Sequence, residues 1–469
     1  MKTEDLYSLF RQHPAVSTDS RNIQPDSLFF ALKGPHFNGN AYASQALEAG
    51  ASFAIVDEAE YAVHDRCILV PDVLNSLQNL AWHHRGQFNI PVVGITGSNG
   101  KTTTKELLHS VLSRQFNTLA TRGNLNNHIG VPLTLFQINA ETEIAVIEMG
   151  ANHQKEIELL CSIAQPTHGL ITNIGKAHLE GFGSLEGVMK GKKELYDSLS
   201  INNGIAFVAS GHARLREMAD GLPHVVWYGT DASCDIRGEL LETSSHLVFS
   251  WSKKPAAKQG PEGIRGNSMA NRQVSGGQVS GGHRSGRNGA DDPLTIHSAL
   301  SGAYNFENLL AAVCVGDHFG LSPEVIKKGI ETYVPANNRS QEVQQGSNRL
   351  ILDAYNANPG SMEVALRHLA SRPEPKKAAV LGDMFELGDF SDQEHASVIR
   401  LVEELGIQPV LLIGPQFFRH RKSADSMLFF EDTGSAGDWL RNHPLGDALV
   451  LLKGSRGMRL EQLLPLLDV

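Results

Sequence analysis

Val92-Val93-Gly94-Ile95-Thr96-Gly97-Ser98-Asn99-Gly100-Lys101-Thr102-Thr103-Thr104 carries an apolar run into a glycine loop and closes on Lys-Thr. The apolar part predicts a strand. The residues from Thr102 onward predict a helix with Leu107, Leu108, Val111 and Leu112 on one face. Backbone N–H groups of a loop so placed, with a helix N-terminus behind them, form a cradle for phosphate oxygens. Lys101 would reach the terminal phosphates and the Thr102 hydroxyl would bind Mg²⁺. Five residues separate Gly94 from Gly100, one more than the usual phosphate loop has, so the motif is the shorter Thr-Gly-x-x-Gly-Lys-Thr form. A glycine turn before an amphipathic helix is the plainer alternative. The flanking strand and helix favour a nucleoside triphosphate site.

With 469 residues the chain has length for about three domains. A net charge of −10 argues against a dedicated nucleic-acid binder. Cys67, Cys161, Cys234 and Cys314 show no metal-type spacing and are expected to be reduced thiols of a cytoplasmic protein. The start, Met1 to Asp5, has no apolar core of a signal peptide, and no run is long enough to span a bilayer.

The expected fold is α/β in three domains: a small mixed N-terminal domain, a central phosphate-loop domain on a parallel sheet, and a C-terminal Rossmann-like domain. Residues 1–88 form the first, with strands Leu28–Leu32 and Ala54–Val56 and helices near Ala43–Ala49 and Leu74–Gly86. Residues 89–336 form the second, with strands Val92–Thr96, Ile144–Glu148, Gly169–Asn173, Ile205–Val208 and Val225–Trp227. Residues 337–469 form the third, with strands Leu350–Asp353, Ala378–Leu381, Val410–Ile413 and Leu449–Leu452. The stretch 253–290 is rich in Gly, Ser, Asn and basic residues, between strand-like runs Leu247–Trp251 and Leu294–His297. It has too little apolar surface to offset its ordering entropy and reads as a flexible hairpin loop. Arg265, Arg272, Arg284 and Arg287 leave open the alternative of an anionic partner.

Ligands of open α/β sheets sit at the carboxyl ends of the strands. Glu148-Met149-Gly150 follows one predicted strand, and Asn173-Ile174-Gly175-Lys176-Ala177-His178 follows another. Thr102, Glu148 and His178 could therefore converge as ligands of Mg²⁺ carried by a triphosphate. Alone, such a histidine is more often a loop or capping residue; its place after a strand in the same sheet as the phosphate loop reverses that.

Thr96–Thr103, Glu148-Met149-Gly150, Asn173–Gly175 with Ala177-His178, and Gly302 with Asn305 and Asn308 together resemble the Mur ligases. The resemblance covers nearly the whole chain apart from the basic loop. It implies a three-domain, ATP- and Mg²⁺-dependent amide ligase of peptidoglycan precursor synthesis, working on small-molecule substrates, with a monomer expected. Tyr355–Pro359, Leu381-Gly382-Asp383-Met384 with Glu386-Leu387-Gly388, and Lys453-Gly454-Ser455-Arg456 resemble the branch joining D-alanyl-D-alanine to UDP-N-acetylmuramoyl-tripeptide.

By position, the resemblance assigns the nucleotide to Gly97, Ser98, Asn99, Gly100, Lys101, Thr102 and Thr103, with Asn308 at the adenine and Asp353 reaching it from the third domain. It assigns the uridine end to Ser20 and Arg21, with Gly34, Phe37 and Gly39 nearby. The muramoyl-peptide part falls to Asn126 and Asn127, with Ser455 as a further substrate contact. Lys192 matches a lysine that many family members carry as a carbamate, an anion that can help hold metal where an ammonium would be repelled. Lys190 and Lys193 stand close by, and a solvated basic helix face is the alternative. Arg339 matches an interdomain arginine near the phosphates, without the Pro-Gly that often precedes it. Asp353 is followed by Ala354 where a second acid is common.

Lys101, Lys192, His178 and Arg339 are thus the expected catalytic groups, and domain closure hinged near Asn337 is expected to complete the site. Outside this reading stand a related ligase, a P-loop switch or motor, and a non-catalytic nucleotide-binding scaffold. The tripeptide's third residue, diaminopimelate or lysine, is not readable.

Overall fold

The strand Val92–Thr96 is buried along its whole length. A strand covered on both faces reads as a continuous apolar run, which is how it stands in the sequence. In the computed structural model, which describes residues 1–243, 246–255, 294–335, 339–422 and 427–468, it runs parallel to Ile144–Glu148 on one side and His168–Ile171 on the other. The chain visits Ile144–Glu148 first and then crosses to the opposite side, so the strand order reverses at Val92–Thr96. Such a reversal opens a crevice beyond the carboxyl ends of the strands. The glycine loop, Glu148 and the segment after Ile171 all emerge there.

The central sheet is nine-stranded. Ile205–Ala209, Val225–Gly229 and Ile236–Glu242 extend it in parallel beyond His168–Ile171. Val248–Lys253 then pairs antiparallel with both Ile236–Glu242 and Leu294–His297, as expected for the flanks of the basic loop. From residue 256 onward that loop lies outside the described residues, as does Asn337. The helix Lys101–Leu112 begins one residue before the expected Thr102 and keeps Leu107, Leu108, Val111 and Leu112 fully buried. Each of these contributes about 1.5–3 kcal/mol of burial free energy. The strand expected over Gly169–Asn173 ends at Ile171 instead. Beyond it Thr172 N–H still donates to Thr96 O at 2.9 Å, and the Thr172 and Asn173 side chains bond the glycine loop.

The N-terminal sheet is four-stranded and parallel, in the order Ala15–Ser17, Ser27–Phe30, Phe53–Val56, Cys67–Leu69. Its outer strands are three residues long and partly exposed, too short to show a pattern in the sequence. The helix Val73–Arg85 joins this unit to the central one by packing on Gly130–Leu135 and Glu156–Ala164. Arg85 is buried in that junction and is held by carbonyls: it donates to Phe88 O at 2.5 Å, Ala164 O at 3.1 Å and Ile90 O at 3.2 Å.

The C-terminal sheet is six-stranded, in the order Gln341–Gln345, Asn348–Asp353, Leu449–Lys453, Lys377–Gly382, Val410–Ile413, Leu428–Phe430. All but the first strand are parallel, as in a Rossmann-like arrangement. Gln341–Gln345 escapes the sequence pattern because it is polar. Its Glu342 is instead gripped by Arg372 at 2.6 Å and Arg349 at 2.9 Å. All four cysteines are free. Among the described residues no helix is long and apolar enough to cross a membrane.

Candidate active site

Gly100 caps the helix Lys101–Leu112 with φ 80°, a left-handed conformation that favours glycine. A Cβ there would also lie 2.7 Å from Asn308 Oδ1, so both backbone shape and close approach require Gly at this position. Asn308 is buried beneath the loop, accepting from Thr104 Oγ1 at 3.1 Å and donating to Asn305 Oδ1 at 3.0 Å. In this structure it buttresses the loop.

The expected cradle is narrower than the motif suggests. Ser98 N–H donates to Asn173 O and Asn99 N–H to Asn173 Oδ1, both at 3.0 Å. Those groups therefore point at the neighbouring strand end. The donors left for phosphate are the first-turn N–H groups from Gly100 to Thr103, which have no intrahelical acceptor. Ser98 Oγ is likewise engaged, bridging Gly175 N and O at 2.9 and 3.0 Å. Thr102 and Thr103 are buried in the first turn. Lys101 Nζ folds back on the loop, donating to Gly97 O at 2.6 Å and Ser98 O at 3.2 Å. Removal from water pushes its ammonium down to about 8; the Glu148 and Glu386 carboxylates act against that and the Arg339 guanidinium with it. Glu148, Arg339 and Glu386 thus all act on one ammonium, from two different domains.

Glu148, at the end of its strand, is almost fully buried. Oε1 accepts from Asn126 Nδ2 at 2.8 Å, whereas Oε2 is buried without a hydrogen-bond partner. A buried carboxylate oxygen left unpaired costs about 1–3 kcal/mol or more, and a cation would remove that cost. Among the described residues no three His, Cys, Asp or Glu side chains form a metal cage on their own. Lys192 is buried while Lys190 is exposed and Lys193 pairs with Asp197, so the structure separates the three lysines. Its Nζ lies 3.4 Å from Ala151 O and 5.4 Å from the Phe182 ring centroid. Burial, with the nearby Lys101 charge, drives its ammonium well below the ordinary lysine range.

The C-terminal domain closes over this crevice. Asn358 Nδ2 donates to Asn99 Oδ1 at 2.8 Å, Lys176 Nζ to Glu394 Oε1 at 2.6 Å, and Glu180 N to Glu386 O at 3.2 Å. His178, with φ 52°, sets Nδ1 2.5 Å from Glu386 Oε2. Arg339 stacks on Tyr355 with Cζ 3.9 Å from the ring centroid.

Other expected residues sit elsewhere or are occupied. Asp353 Oδ2 accepts from Lys453 Nζ at 2.5 Å. Ser455 Oγ accepts from Phe385 N at 2.9 Å, bracing the 383–388 loop. Asn127 Oδ1 caps Ile129 and Gly130 N–H at 3.1 and 2.9 Å. Ser20 and Arg21 lie on the N-terminal unit, where Arg21 is exposed and grips Asp19 at 2.8 Å. That grip holds the Asp19 carboxyl down at about 2. The sequence reading assigned no role to Glu386, Asn358 or Asn173, although all stand in motifs it singled out.

Comparison with known proteins matches three family models. Residues 14–85 match the model described as Mur ligase family, catalytic domain; 95–316 match Mur ligase middle domain; and 338–456 match Mur ligase, glutamate ligase domain. The UDP-N-acetylmuramoyl-tripeptide--D-alanyl-D-alanine ligase of Bacillus subtilis (strain 168) is 32% identical over 96% of this chain and 92% of its own. The chain belongs to the Mur ligase family. A crystal structure of MurF from Acinetobacter baumannii superposes on this Mur ligase with TM-score 0.81, at 31% identity, covering 97% of this chain and 93% of that one. MurF ligase from Thermotoga maritima in complex with ADP gives TM-score 0.80 at 25% identity, covering 100% and 98%.

Proposed function

We propose that this Mur ligase uses ATP to join D-alanyl-D-alanine to UDP-N-acetylmuramoyl-tripeptide, in the cytoplasm and as a monomer. The observation that carries the reading is the meeting of the phosphate loop, an unpaired buried Glu148 oxygen and the closed C-terminal domain at one crevice. The substrates follow from relatives of that name that align over nearly the whole chain.

A carboxylate does not condense with an amine at neutral pH, because its oxygen is a poor leaving group. Attack of the tripeptide carboxylate on the γ-phosphorus releases ADP and gives an acyl phosphate. The dipeptide amine then attacks the acyl carbon, and the tetrahedral intermediate expels phosphate. The protein's part is alignment and charge. Lys101 and the N–H groups of Gly100–Thr103 hold the triphosphate, and Arg339 adds positive charge from the C-terminal side. Asn308 and Asp353 border the nucleotide. Ser20 and Arg21 take the uridine end, Asn126 and Asn127 face the muramoyl-peptide part, and Ser455 supports the acceptor side. Thr102, Glu148 and His178 would hold Mg²⁺, which neutralises phosphate charge when bound. The fit rests on the unpaired Glu148 Oε2. Closure keeps water from the acyl phosphate.

A phosphate-release assay with ATP, Mg²⁺ and the UDP-linked tripeptide tests the reading. Release that needs D-alanyl-D-alanine, with the matching mass gain, supports it. Release from ATP alone points to a switch or motor.

Burial and the nearby Lys101 charge hold the Lys192 ammonium well below the ordinary lysine range, which favours the neutral amine, and a neutral amine adds to CO₂ to give a carbamate and a proton. Lys192→Ala is expected to lose about 100-fold or more in kcat and to recover partly with millimolar formate or acetate. Full activity without added acid would rule the carbamate out.

Lys101 also sets a proton balance. A triphosphate restores its full charge, so nucleotide binding at pH 8 takes up on the order of half a proton. Affinity then weakens as the pH rises through about 8, because the free protein has lost its ammonium there. Calorimetry in buffers of different ionisation enthalpy reads the uptake; a buffer-independent heat contradicts it.

A further inference from the structure

Glu386 belongs to the C-terminal domain, yet its carboxylate ends on the central one. Oε2 lies 2.5 Å from His178 Nδ1, off the line of a regular hydrogen bond, and its backbone carbonyl accepts Glu180 N–H at 3.2 Å, two residues along from the histidine. Gly388 abuts the Glu180 backbone, so the loop sits on the short helix Leu179–Phe182 over several residues. The loop's shape is fixed from its own side. Met384 N–H donates to His395 Nε2 at 3.1 Å, and Phe385 N–H to Ser455 Oγ at 2.9 Å. Asp383 accepts from Gln416 and Phe417 N–H at 2.8 and 3.0 Å. Glu386 itself takes a left-handed φ of 62°.

We infer that Glu386 is a positioning residue, which fixes the His178 ring through Nδ1 and leaves Nε2 as the nitrogen available to a nucleotide-bound cation. The inference rests on the assignment of His178 to that cation. A carboxylate on one imidazole nitrogen selects the tautomer and orients the ring. Here the carboxylate comes from a different domain from the histidine it orients. Closure of the C-terminal domain therefore completes the cation site, and a cation site made before closure lacks this brace.

The test is Mn²⁺ affinity, read by electron paramagnetic resonance on the full chain with a non-hydrolysable ATP analogue. Glu386 is half-exposed, so Glu386→Ala leaves the core intact, and a melting curve checks that. His178→Ala and Glu386→Ala are each expected to weaken Mn²⁺ by about 10–100-fold. The double variant should be no weaker than the worse single one. Glu386→Gln, whose amide oxygen can still accept from Nδ1–H, should recover part of the loss. Analogue binding in the presence of EDTA should stay within about twofold of the parent. Normal Mn²⁺ affinity in Glu386→Ala, with a loss in His178→Ala, overturns this inference and leaves the His178 assignment standing. Normal affinity in His178→Ala overturns both. Multiplying losses in the double variant, or an equal loss of metal-free analogue binding, would place Glu386 on the phosphates or Lys101 instead.

Discussion

Lys101→Ala is expected to reduce turnover by about a thousand-fold or more, with the fold intact. Lys101 Nζ rests on Gly97 O and Ser98 O, a parked position from which it can swing onto phosphate oxygens. Its loss removes the ammonium proposed to face the transferring phosphoryl group, while Arg339 stays stacked on Tyr355. The loss should fall on kcat more than on KM for the UDP-linked substrate, because Ser20 and Arg21, the proposed uridine contacts, sit on another domain. Stability should change little or rise, since the ammonium is held below its ordinary range in the folded chain. Steady-state rates of phosphate release and a thermal melt check both halves. Unchanged turnover would remove the glycine loop from the reaction.

Glu148→Gln is expected to cost about 100- to 1,000-fold in kcat and to raise the Mg²⁺ concentration needed for half-maximal rate. Glu148 Oε1 already serves Asn126, so Oε2 is the atom free for a cation. The amide keeps the shape but offers no anion. The same change withdraws a carboxylate that supports the Lys101 ammonium, so the proton uptake on nucleotide binding should shift to lower pH. Magnesium titrations and buffer-dependent calorimetry read the two effects. A normal Mg²⁺ requirement in Glu148→Gln would show that the carboxylate serves only Asn126.

Local rules made much of this molecule legible. Val92–Thr96 and Ile144–Glu148 stand where their apolar runs place them, because strands buried on both faces read as near-continuous apolar runs. The edge strands Thr118–Ala120, Gln341–Gln345 and Leu428–Phe430 went unread because they are short or partly polar, and partly exposed. Their stability comes from a neighbour's hydrogen bonds and, in Gln341–Gln345, from ion pairs with Arg349 and Arg372.

The sequence by itself determined the strand, glycine loop and helix, the alternation that calls for parallel sheets, and the residue types a phosphate site needs. Those follow from burial periodicity and from φ values that favour glycine, and both act within a few residues. Only the tertiary structure decided which of three neighbouring lysines is buried, that Ser98 and Asn99 N–H turn to Asn173, and that Glu386 meets His178. Such pairings join residues far apart in the chain. They are set by where the strand order reverses and by how one domain closes on another, and no local pattern encodes either.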